Sequence, residues 1–163
     1  MILGHRQIEE NSGHREGRRL LQELYEEQGL GPMPPILISP MGKPYFQGNP
    51  LYFSITHTKH HVFCALSPVP VGIDGEEQDR KVNLRLADKI LSPGEKERFD
   101  ASKDKRRALL RLWVQKEAGL KLAGTGLQGY PCHTDYDPED ARVQECYGCY
   151  LAVFTAPAVP DHP

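Results

Sequence analysis

Val71-Gly72-Ile73-Asp74-Gly75-Glu76 places two β-branched apolar residues and two acids at alternate positions, the period of a β-strand. Side chains of a strand alternate between faces, so Val71 and Ile73 share the buried face, while Asp74 and Glu76 project together from the other. A rise of about 3.3 Å per residue puts the two acidic Cα atoms roughly 6–7 Å apart. Carboxylates held that close repel each other unless a cation or a shared proton relieves them. Taken alone, the pair also fits a solvated strand end.

Ser67-Pro68-Val69-Pro70 interrupts the chain just before this strand and marks a junction between two halves, residues 1–67 and 68–163. In the first half, residues 15–28 read as a helix with Leu20, Leu21, Leu24 and Tyr25 on one stripe and Gly29 as its stop. Short strands are expected at 36–38, 51–56 and 62–66, separated by proline and glycine turns. In the second half, Asn83 caps a helix carrying Leu84, Ala87 and Ile90. Ser92-Pro93-Gly94-Glu95 has the spacing of a capping box with proline at the first helical position. A longer helix is expected over 104–123, ending at Gly124, then a strand over 147–155 and a frayed proline-rich tail. Strands and helices in both halves make the fold class α+β.

A net charge of -2 exerts no general pull on nucleic acid, so anion binding has to come from a local cluster. No apolar run approaches the ~18 residues of a membrane span, and the first nineteen positions lack the apolar core of a secretory signal. Cys64, Cys132, Cys146 and Cys149 are too scattered for a disulfide framework, so the expected location is cytoplasmic.

On the helix at 104–123, successive residues fall ~100° apart around the axis. Leu110, Val114, Ala118, Trp113 and Leu120 form an apolar stripe, and Glu117 and Lys121 lie inside it, one turn apart. An acid and a base on a core-facing stripe are costly without compensation. Two accounts are open: a buried ion pair that satisfies itself, or a stripe facing a ligand site. In the second account, Asp74, Glu76 and Glu117 make an all-oxygen set suited to Mg²⁺, a hard cation that shares phosphate oxygens with its substrate. Lys121 beside them neutralises phosphate charge. A metal, a cationic clamp and a positioned nucleophile are the parts of a phosphoryl-transfer site.

These residues match a family. Gly72-Ile73-Asp74-Gly75-Glu76, followed by Trp113-Val114-Gln115-Lys116-Glu117-Ala118 and Lys121, resembles the signature of 4'-phosphopantetheinyl transferases, G-I/V-D-x-E and then W-x-x-K-E-A/S-x-x-K. Further landmarks appear in the family's order. They are Gly42-Lys43-Pro44-Tyr45, Phe53-Ser54-Ile55-Thr56-His57-Thr58, Leu91-Ser92-Pro93-Gly94-Glu95 and Gly124-Thr125-Gly126-Leu127. The resemblance is to the larger single-chain, surfactin-synthetase-activating branch, in a short variant without its N-terminal hairpin and part of its C-terminal extension.

The resemblance implies a pseudodimer of two similar α+β halves with coenzyme A and Mg²⁺ in the cleft between them. The implied reaction moves the phosphopantetheine arm of coenzyme A to a serine of an acyl or peptidyl carrier protein. By position, Asp74, Glu76 and Glu117 resemble the family's metal ligands, and Lys121 its diphosphate-contacting lysine. Thr56 and His57 are similar to a Ser-His pair that touches the coenzyme A phosphates. Lys43 resembles a residue at the nucleotide, and Arg18 aligns with a phosphate-binding arginine. Glu117 is also the family's candidate for taking the acceptor serine's proton, although a metal-bound carboxylate is a weak base and that role stays open. A monomer is expected, with no nucleic-acid or membrane partner. A Mg²⁺-dependent hydrolase of nucleotide diphosphates and a non-catalytic coenzyme A-binding relative are the competing readings.

Gly75 stands where the family has Ile or Val, so a bulge or a lost core contact is expected there. Cys146-x-x-Cys149, with Cys132 and His133, raises zinc, but a spacing of three along one strand sends the sulfurs to opposite faces. His60 and His61 are expected at the surface. The basic run Lys103, Lys105, Arg106, Arg107 and Arg111 is either a solvated face or a docking patch for an acidic carrier protein.

Overall fold

The computed structural model describes residues 1–126 and 134–157. Leu127, the Cys132-His133 pair and the proline-rich end of the tail lie outside the described residues.

The first half begins with β1 (Ile2–Gln7), a strand the sequence reading passed over, followed by α1 (Gly13–Glu27). A small hairpin, β2 (Ile36–Ile38) and β3 (Pro44–Phe46), leads to β4 (Tyr52–His57) and β5 (His61–Ser67). The second half runs β6 (Val71–Glu77), a single 3₁₀ turn at Leu84–Leu86, α2 (Ala87–Ile90), α3 (Pro93–Ala101), α4 (Lys105–Ala123), β7 (Val143–Cys146) and β8 (Cys149–Thr155). Two three-stranded antiparallel sheets result, ordered β1-β5-β4 and β6-β8-β7.

Helix boundaries follow their chemistry. Ser92 Oγ accepts from Glu95 N at 3.2 Å while Glu95 Oε2 accepts from Ser92 N at 2.9 Å, the reciprocal pair expected of that motif. Asp104 caps α4 through Arg107 N, and Gly124 ends it at φ 72°, a left-handed conformation that costs glycine nothing.

The period of two sorts the strands into layers. Val62, Cys64 and Leu66 of β5 pack on Leu20, Leu21, Leu24 and Tyr25 of α1. The intervening Phe63 and Ala65 point the other way and meet Val71 and Ile73 of β6 and Cys149 and Leu151 of β8. Tyr150, Ala152 and Phe154 of β8 then face α4 through Leu110, Val114 and Ala118. The order is therefore helix, sheet, sheet, helix, with Phe63 at the centre, fully buried.

Both faces of β6 are covered, which corrects the expectation of one buried face and one open one. A Cβ at Gly72 would lie 2.2 Å from Ala118 O and 2.3 Å from Leu122 N, so glycine is what lets α4 lie directly on the strand. Gly75 makes no bulge. Register with β8 runs unbroken from Val71↔Thr155 to Glu77↔Cys149, and Phe63 and Leu151 close over the position from the other side.

Candidate active site

Asp74 sits on the α4 face of β6, next to the edge where β6 meets β4, and is only 7% exposed. A solvated strand end is thereby excluded for this residue. Its Oδ1 accepts from Lys121 Nζ at 2.7 Å and from Thr56 Oγ1 at 2.9 Å. Thr56 Oγ1 in turn accepts from Gly75 N at 3.3 Å, and Ser54 Oγ from Ile73 N at 3.0 Å. The free edge of β6 is thus satisfied by hydroxyls of β4 instead of a neighbouring backbone, and this seam joins the two sheets. Ser54 belongs to the Phe53–Thr58 stretch; its partner is a backbone amide, which no side-chain pattern reveals.

Glu76, next on the same face, is paired with Arg80. Among the described residues, no three His, Cys, Asp or Glu side chains converge as a ready metal centre. The donors themselves are hard oxygens, and Asp74 and Glu76 are each held by one protein cation, Lys121 and Arg80 respectively. That is the charge pattern a divalent ion would replace, so the donor chemistry fits Mg²⁺.

Glu117 and Lys121, half-buried and one turn apart on α4, open onto a cavity of about 330 Å³. Lys43, Pro44, Phe53 and Leu120 complete its mixed apolar and cationic wall. Lys43 donates to Leu122 O at 2.9 Å, tying the loop before β3 to the end of α4, and burial lowers its pKa. Of the two accounts of the acid–base pair, Lys121 is engaged with Asp74 across the interface of strand and helix.

Thr56 and His57, adjacent in sequence, are separated by strand alternation. Thr56 faces the seam; His57 faces the start of α1, where its ring lies against Gly13 and meets His14 edge-on at 4.8 Å. His57, His14, Lys59, Glu76 and Arg80 line a second cavity of about 700 Å³. The His57 imidazole is held below its ordinary pKa, first by burial and then by His14 beside it. Arg18 is exposed on α1 and is not among the residues lining either cavity.

One residue before Glu117, Lys116 is fully buried with Nζ 2.7 Å from Glu95 Oε2, an ion pair without an aligned hydrogen bond. Glu95 also accepts from Tyr136 N at 3.0 Å. This pair fastens α4 to the start of α3 and escaped the sequence reading, because a buried lysine is indistinguishable from a surface one in the helical pattern.

The remaining motifs resolve into structure. Arg111 is 4% exposed and donates to the carbonyls of Pro138, Asp140 and Val143; Arg107 pairs with Glu139 and Glu145. Arg111 is therefore structural and not part of a solvated face, whereas Arg107 stays at the surface with its acidic partners. Cys146 and Cys149 lie directly opposite each other across a turn at Tyr147-Gly148, both at positive φ, and not along one strand as expected. Burial pushes both thiols up, Cys149 to about 12, so neither is an activated thiolate. His60 is exposed and meets Glu77 at 3.0 Å, while the half-buried His61 faces His5 at 3.0 Å.

Residues 70–150 match the family profile described as the 4'-phosphopantetheinyl transferase superfamily. A 4'-phosphopantetheinyl transferase of Bacillus subtilis is 33% identical over 89 residues, 53% of this chain and 39% of that protein. The 4'-phosphopantetheinyl transferase psf-1 of Bacillus pumilus is 30% identical over 116 residues, 68% of this chain and 49% of the relative. The 4'-phosphopantetheinyl transferase gsp of Aneurinibacillus migulanus is 30% identical over 88 residues, 53% and 36% respectively. The matches thus span half or less of the length of these curated relatives. The matched segment holds Asp74, Glu76, Glu117 and Lys121, and by it this chain belongs to the 4'-phosphopantetheinyl transferase superfamily.

Proposed function

We propose that this protein transfers the 4'-phosphopantetheine group of coenzyme A to a serine hydroxyl of an apo acyl or peptidyl carrier protein, with Mg²⁺, releasing adenosine 3',5'-bisphosphate. The observation that carries the proposal is the Thr56–Asp74–Lys121 cluster, set beside the cavity that Glu117 and Lys43 line. Asp74, Glu76 and Glu117 are the proposed metal ligands. Mg²⁺, when bound, would supply neutralising charge for a diphosphate. Lys121 and Lys43 bind its oxygens or the nucleotide from the wall of the first cavity. His57 and Arg18 are proposed to contact phosphate from the α1 side. Thr56 is proposed at the phosphates too, and it also holds Asp74 in place.

In the reaction, the serine oxygen bonds to the phosphorus nearest the pantetheine, and the bond from that phosphorus to the bridging oxygen breaks. The serine proton leaves to Glu117, directly or through water, and the bisphosphate takes the bonding pair. Lys121 stabilises the charge that develops.

We further propose a pseudodimer, with halves 1–67 and 68–163. The support is topological: in each half the first strand pairs with the last, the last with the penultimate, and one long helix covers the outer face. A monomer in the cytoplasm fits the free thiols of Cys64, Cys146 and Cys149. Among the described residues, no helix is long and apolar enough to cross a membrane.

The test is mass spectrometry of a panel of apo-carriers after incubation with coenzyme A, Mg²⁺ and the protein. A phosphopantetheine increment on a carrier, lost in a folded Glu117→Gln variant, is expected. Wild-type turnover in that variant would overturn the role of Glu117, and diphosphate cleavage without any carrier would make the protein a hydrolase.

A further inference from the structure

Arg80 follows β6 by one short turn, and its guanidinium reaches back to Glu76 Oε1. The two side chains are unequal: Glu76 is 17% exposed, Arg80 46%. The carboxylate is therefore the more buried partner, while the guanidinium, among the residues lining the second cavity, is open to solvent and held by a weak exposed pair. The cavity's other lysine, Lys59, pairs at 3.3 Å with Glu10 and not with Glu76. The imidazoles of His14 and His57, in edge-on contact, line the same cavity. Lys121 holds Asp74 from the opposite cavity, so Asp74 and Glu76 are neutralised from two sides by two different cations, while Glu77, the third acid of β6, accepts from Thr58 Oγ1 and His60 N.

We propose that Arg80 is the resident counter-cation of Glu76. A divalent ion that takes Glu76 releases Arg80 to bind a phosphate group in the second cavity, beside His57 and His14. The inference rests on the metal site proposed above. It requires that metal and phosphate assist each other's binding, by the same factor in either order.

The test is titration of the metal-free protein with Mn²⁺, followed by electron paramagnetic resonance, in wild type, Arg80→Ala, Arg80→Gln and Glu76→Gln. Inorganic phosphate is then titrated calorimetrically with and without Mg²⁺. Removing an exposed pair and the repulsion between guanidinium and metal should tighten Mn²⁺ binding about three- to tenfold in both Arg80 variants. The same variants should lose the gain in phosphate affinity that Mg²⁺ confers on the wild type. Mn²⁺ affinity in both Arg80 variants equal to or weaker than wild type would overturn the role of Arg80 while leaving the metal site standing. Mn²⁺ binding that is absent in wild type, or unchanged in Glu76→Gln, would overturn Glu76 as a ligand and this inference with it.

Discussion

Replacing Thr56 by valine keeps the shape of the side chain and deletes one oxygen with two partners. Thr56 is 5% exposed, so neither partner gains water when the hydroxyl goes. Gly75 N loses its acceptor, a desolvated amide that costs about 1–3 kcal/mol when left unpaired. Asp74 Oδ1 loses a charge-assisted bond worth about 1.5–3 kcal/mol, but keeps Lys121 at 2.7 Å. The two losses share one atom and are not additive, which puts the total at about 2–4 kcal/mol. With a urea m-value of about 2 kcal/mol/M, the unfolding midpoint should fall by about 1–2 M at unchanged m. Thr56→Ser retains the hydroxyl and loses only a methyl, and should cost about 0.5–1.5 kcal/mol. A Thr56→Val midpoint within about 0.3 M of wild type would refute the claim that this hydroxyl holds the seam between the sheets.

Three further outcomes are expected. Lys116→Met strands Glu95 in the core and should cost about 3–5 kcal/mol by chemical denaturation, whereas Lys116→Met with Glu95→Gln should recover more than half of that. The two glycines of β6 should behave oppositely in thermal melts. Gly72→Ala drives a methyl into the α4 backbone and should cost about 3 kcal/mol. Gly75→Ala meets Leu151, Phe63 and Thr56 at ordinary contact distances of 3.4–3.5 Å and should stabilise by about 0.5–1 kcal/mol. Finally, burial, and then His61 beside it, holds the His5 imidazole below its ordinary 6.5. As pH falls through 6.5, the unfolded chain takes up a proton that the folded one refuses. Stability therefore drops between 6.5 and the lower folded value and then levels off. The urea midpoint should fall less from pH 7.5 to pH 5 in His5→Gln than in wild type, and an identical fall would exclude His5 as its source.

Local sequence determined a good deal of this protein. Capping chemistry placed the start of α3 and the end of α4 to within a residue or two, because Ser92 and Gly124 act on atoms a few positions away. Alternation put Asp74 and Glu76 on one face of a strand, and helical spacing put Glu117 and Lys121 one turn apart. Those periods are properties of the backbone and need no partner. β1, β3 and β7 escaped because β1 and β7 are largely polar and β3 is three residues led by a proline, and each is a strand only by pairing with another strand. The tertiary structure alone decided that both faces of β6 are covered, that Thr56 serves Asp74 while His57 serves another cavity, and that Lys116 is buried against Glu95. It also decided which cation neutralises which acid. Glu76–Arg80 is local, but Asp74–Lys121 spans strand and helix, and such a pairing depends on how the elements pack and on which charges water can no longer reach.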